Sequence, residues 1–188
     1  MVRVRASLHV DCATRQEEVQ RTSHSLGRFQ RRFAQHSGGH SIYKTRQSVS
    51  INRSPQDVFD YVTDPANDPN WLSGTESSQW TSDPPHGVGS TREVVVRFLG
   101  RRIESTSEVT HWDKPHTYGF HAIGGPIPIT IVAGLESTGE NQTEMTLDIE
   151  AEFGGFFKLA EGLVGKQLDK QMEANLDALK ILLEADQE

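Results

Sequence analysis

The sequence predicts an α+β domain in which an antiparallel sheet wraps around one long C-terminal helix. Three observations carry this expectation. Between Gly154 and Ala185, most clearly over Phe156–Glu184, apolar residues recur at the three-and-four spacing of one helical face: Phe156, Leu159, Ala160, Leu163, Val164, Leu168, Met172, Leu176, Leu179, Leu182 and Leu183. Ahead of that stretch stand segments of strand character, separated by turn chemistry. Between the first of them and the rest, Ser54-Pro55-Gln56-Asp57 has the marks of a helix start: a capping Ser, a Pro suited to the first helical position, and an Asp in the first turn.

The long helix sets the architecture. At about 1.5 Å of rise per residue it reaches on the order of 40 Å, the width of a small domain. Its second face pairs Lys158 with Glu161, Lys166 with Asp169, Lys170 with Glu173 and Asp177 with Lys180, opposite charges three apart that suit a solvated surface. The apolar face therefore needs a partner, and the strands before it are the available one.

From Thr45 the chain reads as a domain. Val49 and Ile51 alternate with polar neighbours as a first strand. Val58, Phe59, Tyr61 and Val62 give the helix after Ser54 its apolar side, Asp64-Pro65 stops it, and Ala66–Trp71 allows a second short helix between prolines. Strands are expected at Thr75–Trp80, Thr91–Leu99, Arg102–Trp112, Thr117–Ile123, Ile129–Ser137 and Glu144–Phe153. The junctions Asp83-Pro84-Pro85, Gly100-Arg101, Asp113-Lys114-Pro115, Gly124-Gly125-Pro126 and Gly139-Glu140-Asn141 are short enough for antiparallel hairpins.

Composition bounds the function classes. The 188 residues fit one domain with an appendage, and the 24% charged residues argue against a membrane protein. The longest mostly apolar run, Ile127 to Leu135, is broken by Pro128, Thr130 and Gly134 and is far short of the roughly 20 residues of a membrane span. A single Cys12 allows no internal disulfide, so the cytoplasm is the expected address. Residues 1–40 hold seven Arg against three acids, a net of +4, while residues 41–188 hold 12 basic and 23 acidic residues, a net of −11. The chain is thus read as a basic, weakly ordered extension over 1–40 and one folded domain over 41–188. The extension has the Arg and Ser content of a transit peptide, yet its few arginines come without interleaved aromatics or a groove-reading helix, which argues against a nucleic-acid partner.

The order of elements, the run Ser54-Pro55-Gln56-Asp57-Val58-Phe59-Asp60-Tyr61-Val62-Thr63-Asp64-Pro65, Trp71 and the turn Trp112-Asp113-Lys114-Pro115 resemble the START-related helix-grip superfamily. Within it the chain is most similar to the polyketide cyclase/dehydrase-like (SRPBCC) branch, over about residues 45–184. The resemblance implies a curved seven-stranded antiparallel sheet gripping the C-terminal helix, with an apolar cavity between them. It carries no shared catalytic signature onto numbered positions.

Alternation assigns the inner face independently, because a half-buried strand sends apolar residues to one side. Met145, Leu147, Ile149, Ala151 and Phe153 face in; so do Ile129, Ile131, Ala133 and Leu135, and Val94, Val96 and Phe98. Arg92 shares that parity: it either binds an acidic ligand group or lies at the strand's end and reaches water, and the rarity of buried Arg favours the second. Ser105 and Ser107 fall between Ile103 and Val109, where they hydrogen-bond a ligand or are satisfied locally. Thr117–Ile123 is undecided, with Tyr118 and Phe120 on one side and His121 on the other. Trp71 and Trp80 either gate the cavity or pack beneath the short helices. Leu163 and Leu168 are the helix's candidates for the lining, and Gly162 and Gly165 either leave room for a ligand or allow close helix packing.

Other chemistries lack their signatures. His111, His116 and His121 have no metal-ligand spacing, no Gly-x-Ser-x-Gly elbow is present, and no Gly-x-Gly-x-x-Gly follows a strand, so neither a metal nor a cofactor is expected. Three function classes follow. The first is binding or carriage of a small hydrophobic molecule between sheet and helix, with cavity candidates Trp71, Arg92, Val94, Val96, Ser105, Ser107, Tyr118, Phe120, His121, Ile131, Leu147, Leu163 and Leu168. The second is a cyclase or dehydratase using His121, Tyr118, His111 or Arg92 as acid or base. The third is an interaction module acting through the basic extension or an edge strand.

Overall fold

The computed structural model describes residues 41–98, 100–153 and 161–185. Seven strands form one antiparallel sheet: β1 (Ser41–Ile51), β2 (Thr75–Trp80), β3 (Thr91–Phe98), β4 (Arg101–Asp113), β5 (Thr117–Gly124), β6 (Ile129–Gly139) and β7 (Gln142–Phe153), in the spatial order β1-β7-β6-β5-β4-β3-β2. Hairpins join each strand from β2 onward to the next, and β1 closes against β7 in the register Ser41↔Phe153 to Ile51↔Thr143. Between β1 and β2 lie α1 (Pro55–Thr63), a 3-10 turn (Pro65–Asn67) and α2 (Asp68–Trp71), and the chain's long helix is α3 (Glu161–Ala185). This is the helix-grip architecture. Among the described residues no helix is long and apolar enough to cross a membrane.

Local chemistry fixes the short helices. The Ser54 hydroxyl accepts from the Asp57 N–H at 3.2 Å and donates to the Asp57 carboxylate at 2.8 Å, satisfying one of the orphan donors of α1. Asp64 ends α1 and caps the next turn by accepting from the Ala66 N–H at 3.0 Å. Phe59 and Val58 are fully buried, and Phe59 meets the edges of Trp112 and Tyr118 with centroids 5.5 and 6.4 Å away.

The sheet turns one face to the helix, as alternation requires. Along β7, Met145, Leu147, Ile149, Ala151 and Phe153 are buried while their neighbours are not. On the outer face charges meet in register, Lys44 with Glu150 at 2.5 Å and Arg46 with Asp148 at 2.6 Å. The undecided strand β5 buries Tyr118 and Ala122 and leaves Ile123 exposed. The first strand begins at Ser41, four residues before the expected boundary: Tyr43, Thr45 and Gln47 sit inward of the exposed Ile42, Lys44 and Arg46, an alternation too polar to show as a strand in the sequence.

The outer face of the helix departs from expectation. Phe156, Leu159 and Ala160, with Lys158 of the expected Lys158–Glu161 pair, lie outside the described residues. Further on, two of the outer-face charges take partners other than those three residues away: Asp169 accepts from the Tyr43 hydroxyl at 2.5 Å, and Lys180 donates to the Ser50 carbonyl at 2.6 Å and pairs with Glu184 at 3.5 Å. These contacts fasten α3 to β1. A strand neighbour fixed in space outcompetes a flexible side chain one helical turn away.

Candidate functional site

Between the sheet and the first half of α3 lies a cavity of about 200 Å³. Strands supply its floor: Val94, Val96 and Phe98 from β3, Ile103, Ser105 and Ser107 from β4, Ile129 and Ile131 from β6, Ala151 and Phe153 from β7. Its roof is Val164, Leu168 and Met172, the residues four apart on α3. Leu72 and Ser73, after α2, close one side. That segment is held by the helix, because Gln171 donates to the Ser73 carbonyl at 2.7 Å and the buried Asn175 accepts from the Ser73 N–H at 2.9 Å. Next to it Gly74 has φ of +84°, and a Cβ there would stand 2.6 Å from the Arg97 carbonyl, so glycine is what lets this loop approach the β3 backbone so closely.

A second chamber of about 50 Å³ adjoins the first, deeper towards α1 and α2. Leu72, Arg92, Phe120, Ile131 and Met172 border both, and Asp68, Trp71, Tyr118 and Leu147 belong to the inner one. Arg92 dominates its electrostatics. Its guanidinium lies 3.0 Å from the Asp68 carboxylate, with both side chains buried, and 4.1 Å from the Phe120 ring centroid. Burial pushes the Asp68 carboxyl above the usual carboxylate range, and the Arg92 charge opposes that rise. Burial also raises the Tyr118 hydroxyl, which therefore stays a proton donor at neutral pH.

The structure sorts the candidate residues. Arg92, Val94, Val96, Ser105, Ser107, Phe120, Ile131 and Leu168 border the main cavity, and Trp71, Tyr118 and Leu147 the inner chamber. Two do not reach either space. Leu163 is 72% exposed, because Gly165 rests on the Tyr43 ring, where a Cβ would come within 2.7 Å, and that contact turns the Val164 row to the sheet and the Leu163 row to solvent. His121 sits on the opposite face of β5 from Tyr118 and Phe120, with Nδ1 2.8 Å from the Thr130 hydroxyl. Arg92 is corrected in another sense: it is 3% exposed and does not reach water, since Asp68 supplies the countercharge that makes burial tolerable.

The serines divide. Ser105 is satisfied locally, donating to the Gly124 carbonyl at 2.9 Å, whereas Ser107 is buried at the cavity wall. Trp71 packs in the core and borders the inner chamber, while Trp80 lies outside both spaces, stacked on His86 at 4.2 Å. Gly165 serves close helix packing, not ligand space. Sequence reasoning missed Asp68 and Asn175. An acid between prolines carries no burial signal, and a lone Asn between apolar helix positions reads as surface.

Among known proteins, a family model described as polyketide cyclase / dehydrase and lipid transport matches residues 43–184. The uncharacterized protein Rv1546 of Mycobacterium tuberculosis is 35% identical over 71 residues, 37% of this chain and 48% of its own. The chain thus spans about half the length of the curated relatives it matches. Among solved structures, TTHA0849 from Thermus thermophilus superposes with a TM-score of 0.68 at 20% identity, covering 78% of this chain and 100% of that one. A START superfamily protein from Mycobacterium smegmatis gives 0.65 at 16% identity, covering 78% and 99%. The Zhui aromatase/cyclase from Streptomyces sp. R1128 gives 0.66 at 12% identity, covering 77% and 94%. At these identities the likeness concerns the fold.

Proposed function

Since this chain belongs to the polyketide cyclase / dehydrase and lipid transport family, we propose that it binds or carries a small hydrophobic molecule in the cavity between its sheet and α3. The observation that carries this reading is the cavity itself, about 200 Å³ walled by Val94, Val96, Ile129, Ile131 and Leu168. Native interiors leave few voids larger than a water, and an apolar space of this size with few polar anchors suits a small organic ligand. We place the protein in the cytoplasm as part of the same proposal, from its single cysteine.

A second reading is a cyclase or dehydratase-like enzyme, favoured by one feature, the Tyr118 hydroxyl and the Arg92 guanidinium at the inner chamber, where they would polarise a carbonyl. His121, on the outer face of β5, has no part in it. Native mass spectrometry of the purified chain, with organic extraction, tests the binding reading. A co-purifying apolar molecule, or uptake of aminoanthracene with enhanced fluorescence, is expected. Protein that carries no ligand and takes up no aminoanthracene overturns it. Chemical change of the extracted molecule on incubation, lost in Tyr118→Phe, would move the assignment to the enzyme.

A further inference from the structure

Three side chains at the inner chamber carry polar atoms without a partner among the described residues: Trp71 Nε1, Arg92 Nε and Tyr118 Oη. All are more than nine-tenths buried, at 7%, 3% and 4% exposure. The first two can only donate, and the third donates as readily as it accepts. A buried donor left unmade costs the desolvation of its group, so three of them around a space of about 50 Å³ call for an acceptor.

The acceptor's charge is set by Asp68. The positive charge of Arg92 is already matched by that carboxylate at 3.0 Å, in a site with both partners buried. Asp68, Arg92 and Tyr118 are the titratable side chains on the chamber wall, and the rest of the wall is apolar. A ligand carboxylate there would be a second anion beside Asp68 with no unmatched cation, in surroundings that solvate charge poorly. An uncharged oxygen meets the same donors without that cost.

We propose that the inner chamber is the head-group subsite of the ligand cavity and selects an uncharged oxygen acceptor, a ketone or hydroxyl, over a carboxylate. The assignment rests on the binding function proposed above. It orients the ligand: the oxygen passes Arg92, Phe120 and Met172, and the apolar remainder lies in the main cavity against Val94, Val96 and Leu168.

Displacement of aminoanthracene from the full chain by methyl hexyl ketone, octanol, octanoate and octane tests it. Ketone and alcohol should bind at least about tenfold more tightly than octanoate, the equivalent of roughly one unmatched charge–charge contact. Tyr118→Phe and Trp71→Phe should each lower ketone affinity by roughly fivefold, one hydrogen bond, and leave octane unchanged. Asp68→Asn frees the Arg92 charge and should make octanoate the tightest of the four; if that variant fails to fold, the two donor variants decide alone. Octanoate binding the unaltered protein as tightly as the ketone overturns the proposal. So does a ketone-to-octane ratio indifferent to both donor variants, which would assign the chamber to water. If aminoanthracene and all four compounds fail to bind, the binding function itself falls, and this proposal with it.

Discussion

Along α3 the side chains facing the sheet meet two different environments. From Leu176 to Leu183 they are packed: Leu176, Leu179 and Leu183 are buried in one core with Ile51, Val58, Phe59 and Val62. From Val164 to Met172 they roof the cavity. The same helix, with one apolar stripe, thus supplies stability at one end and space at the other. The difference lies beneath it, since α1 and α2 back the packed end with large side chains, while β3 and β4 present Val94, Val96, Ser105 and Ser107, which are too small to fill the gap. Here, volume on the sheet decides which half of the helix stands over a cavity.

Substitutions at the two ends should therefore behave differently. Leu176→Ala removes a fully surrounded side chain and should cost about 2–5 kcal/mol in urea denaturation, whereas Leu168→Ala enlarges an existing space and should cost less than about 2 kcal/mol. Equal costs would erase the distinction between packed and hollow ends. At their boundary, Asn175→Ala strips the Ser73 N–H of its acceptor and should cost roughly 1–2 kcal/mol, read in the same assay. Ser107→Leu sharpens the contrast from the sheet side. Placed at a cavity wall, the added bulk should leave the melting temperature nearly unchanged and reduce aminoanthracene uptake, while in a filled core it would cost about 1–3 kcal/mol by overpacking. A destabilised variant with normal uptake contradicts the hollow end.

The smallest effect concerns the tether of the roofing half to β1. Burial, then the hydrogen bond to Asp169, pushes the Tyr43 hydroxyl from 10.0 up to about 12. Its proton is held more tightly in the folded chain, so the stabilisation is fully present below pH 10 and is lost as pH rises from 10 through 12. Tyr43→Phe should flatten the alkaline limb of the stability curve in that window. An unchanged limb would mean that the tether contributes nothing to folding.

Most of the fold was legible because its strands alternate cleanly and its turns carry Gly, Pro and Asn. Thr75–Trp80 matches β2 at both ends, and the inward row of β7 follows from Met145 to Phe153 alone. For β5 the strand was legible but its inner face was not, since Tyr118, Phe120, His121 and Ile123 put rings or branched chains on both faces. Parity placed Arg92 inside, but the rarity of buried arginine argued against it. What reconciles them is Asp68, 24 residues away on a helix of one turn, a pairing that no local pattern encodes. Leu163 was misplaced for a similar reason: three-and-four spacing admits two adjacent rows, and the choice between them is made by Tyr43 against Gly165, a contact with the far end of the domain.

The pairing of β1 with β7 also governs how the domain is born. β1 has a single neighbour in the sheet, and Ile51 meets Thr143 only after every other strand has been made. At about 5–20 residues per second, the roughly one hundred intervening residues keep β1 without its partner for about 5–20 seconds on the ribosome. During that wait its edge is open to any strand of another chain. The charges of Lys44 and Arg46, spaced along one side of the strand, discourage such pairing until Glu150 and Asp148 arrive to receive them. Two exposed ion pairs that add little to a finished surface thus stand on the strand that waits longest for its partner.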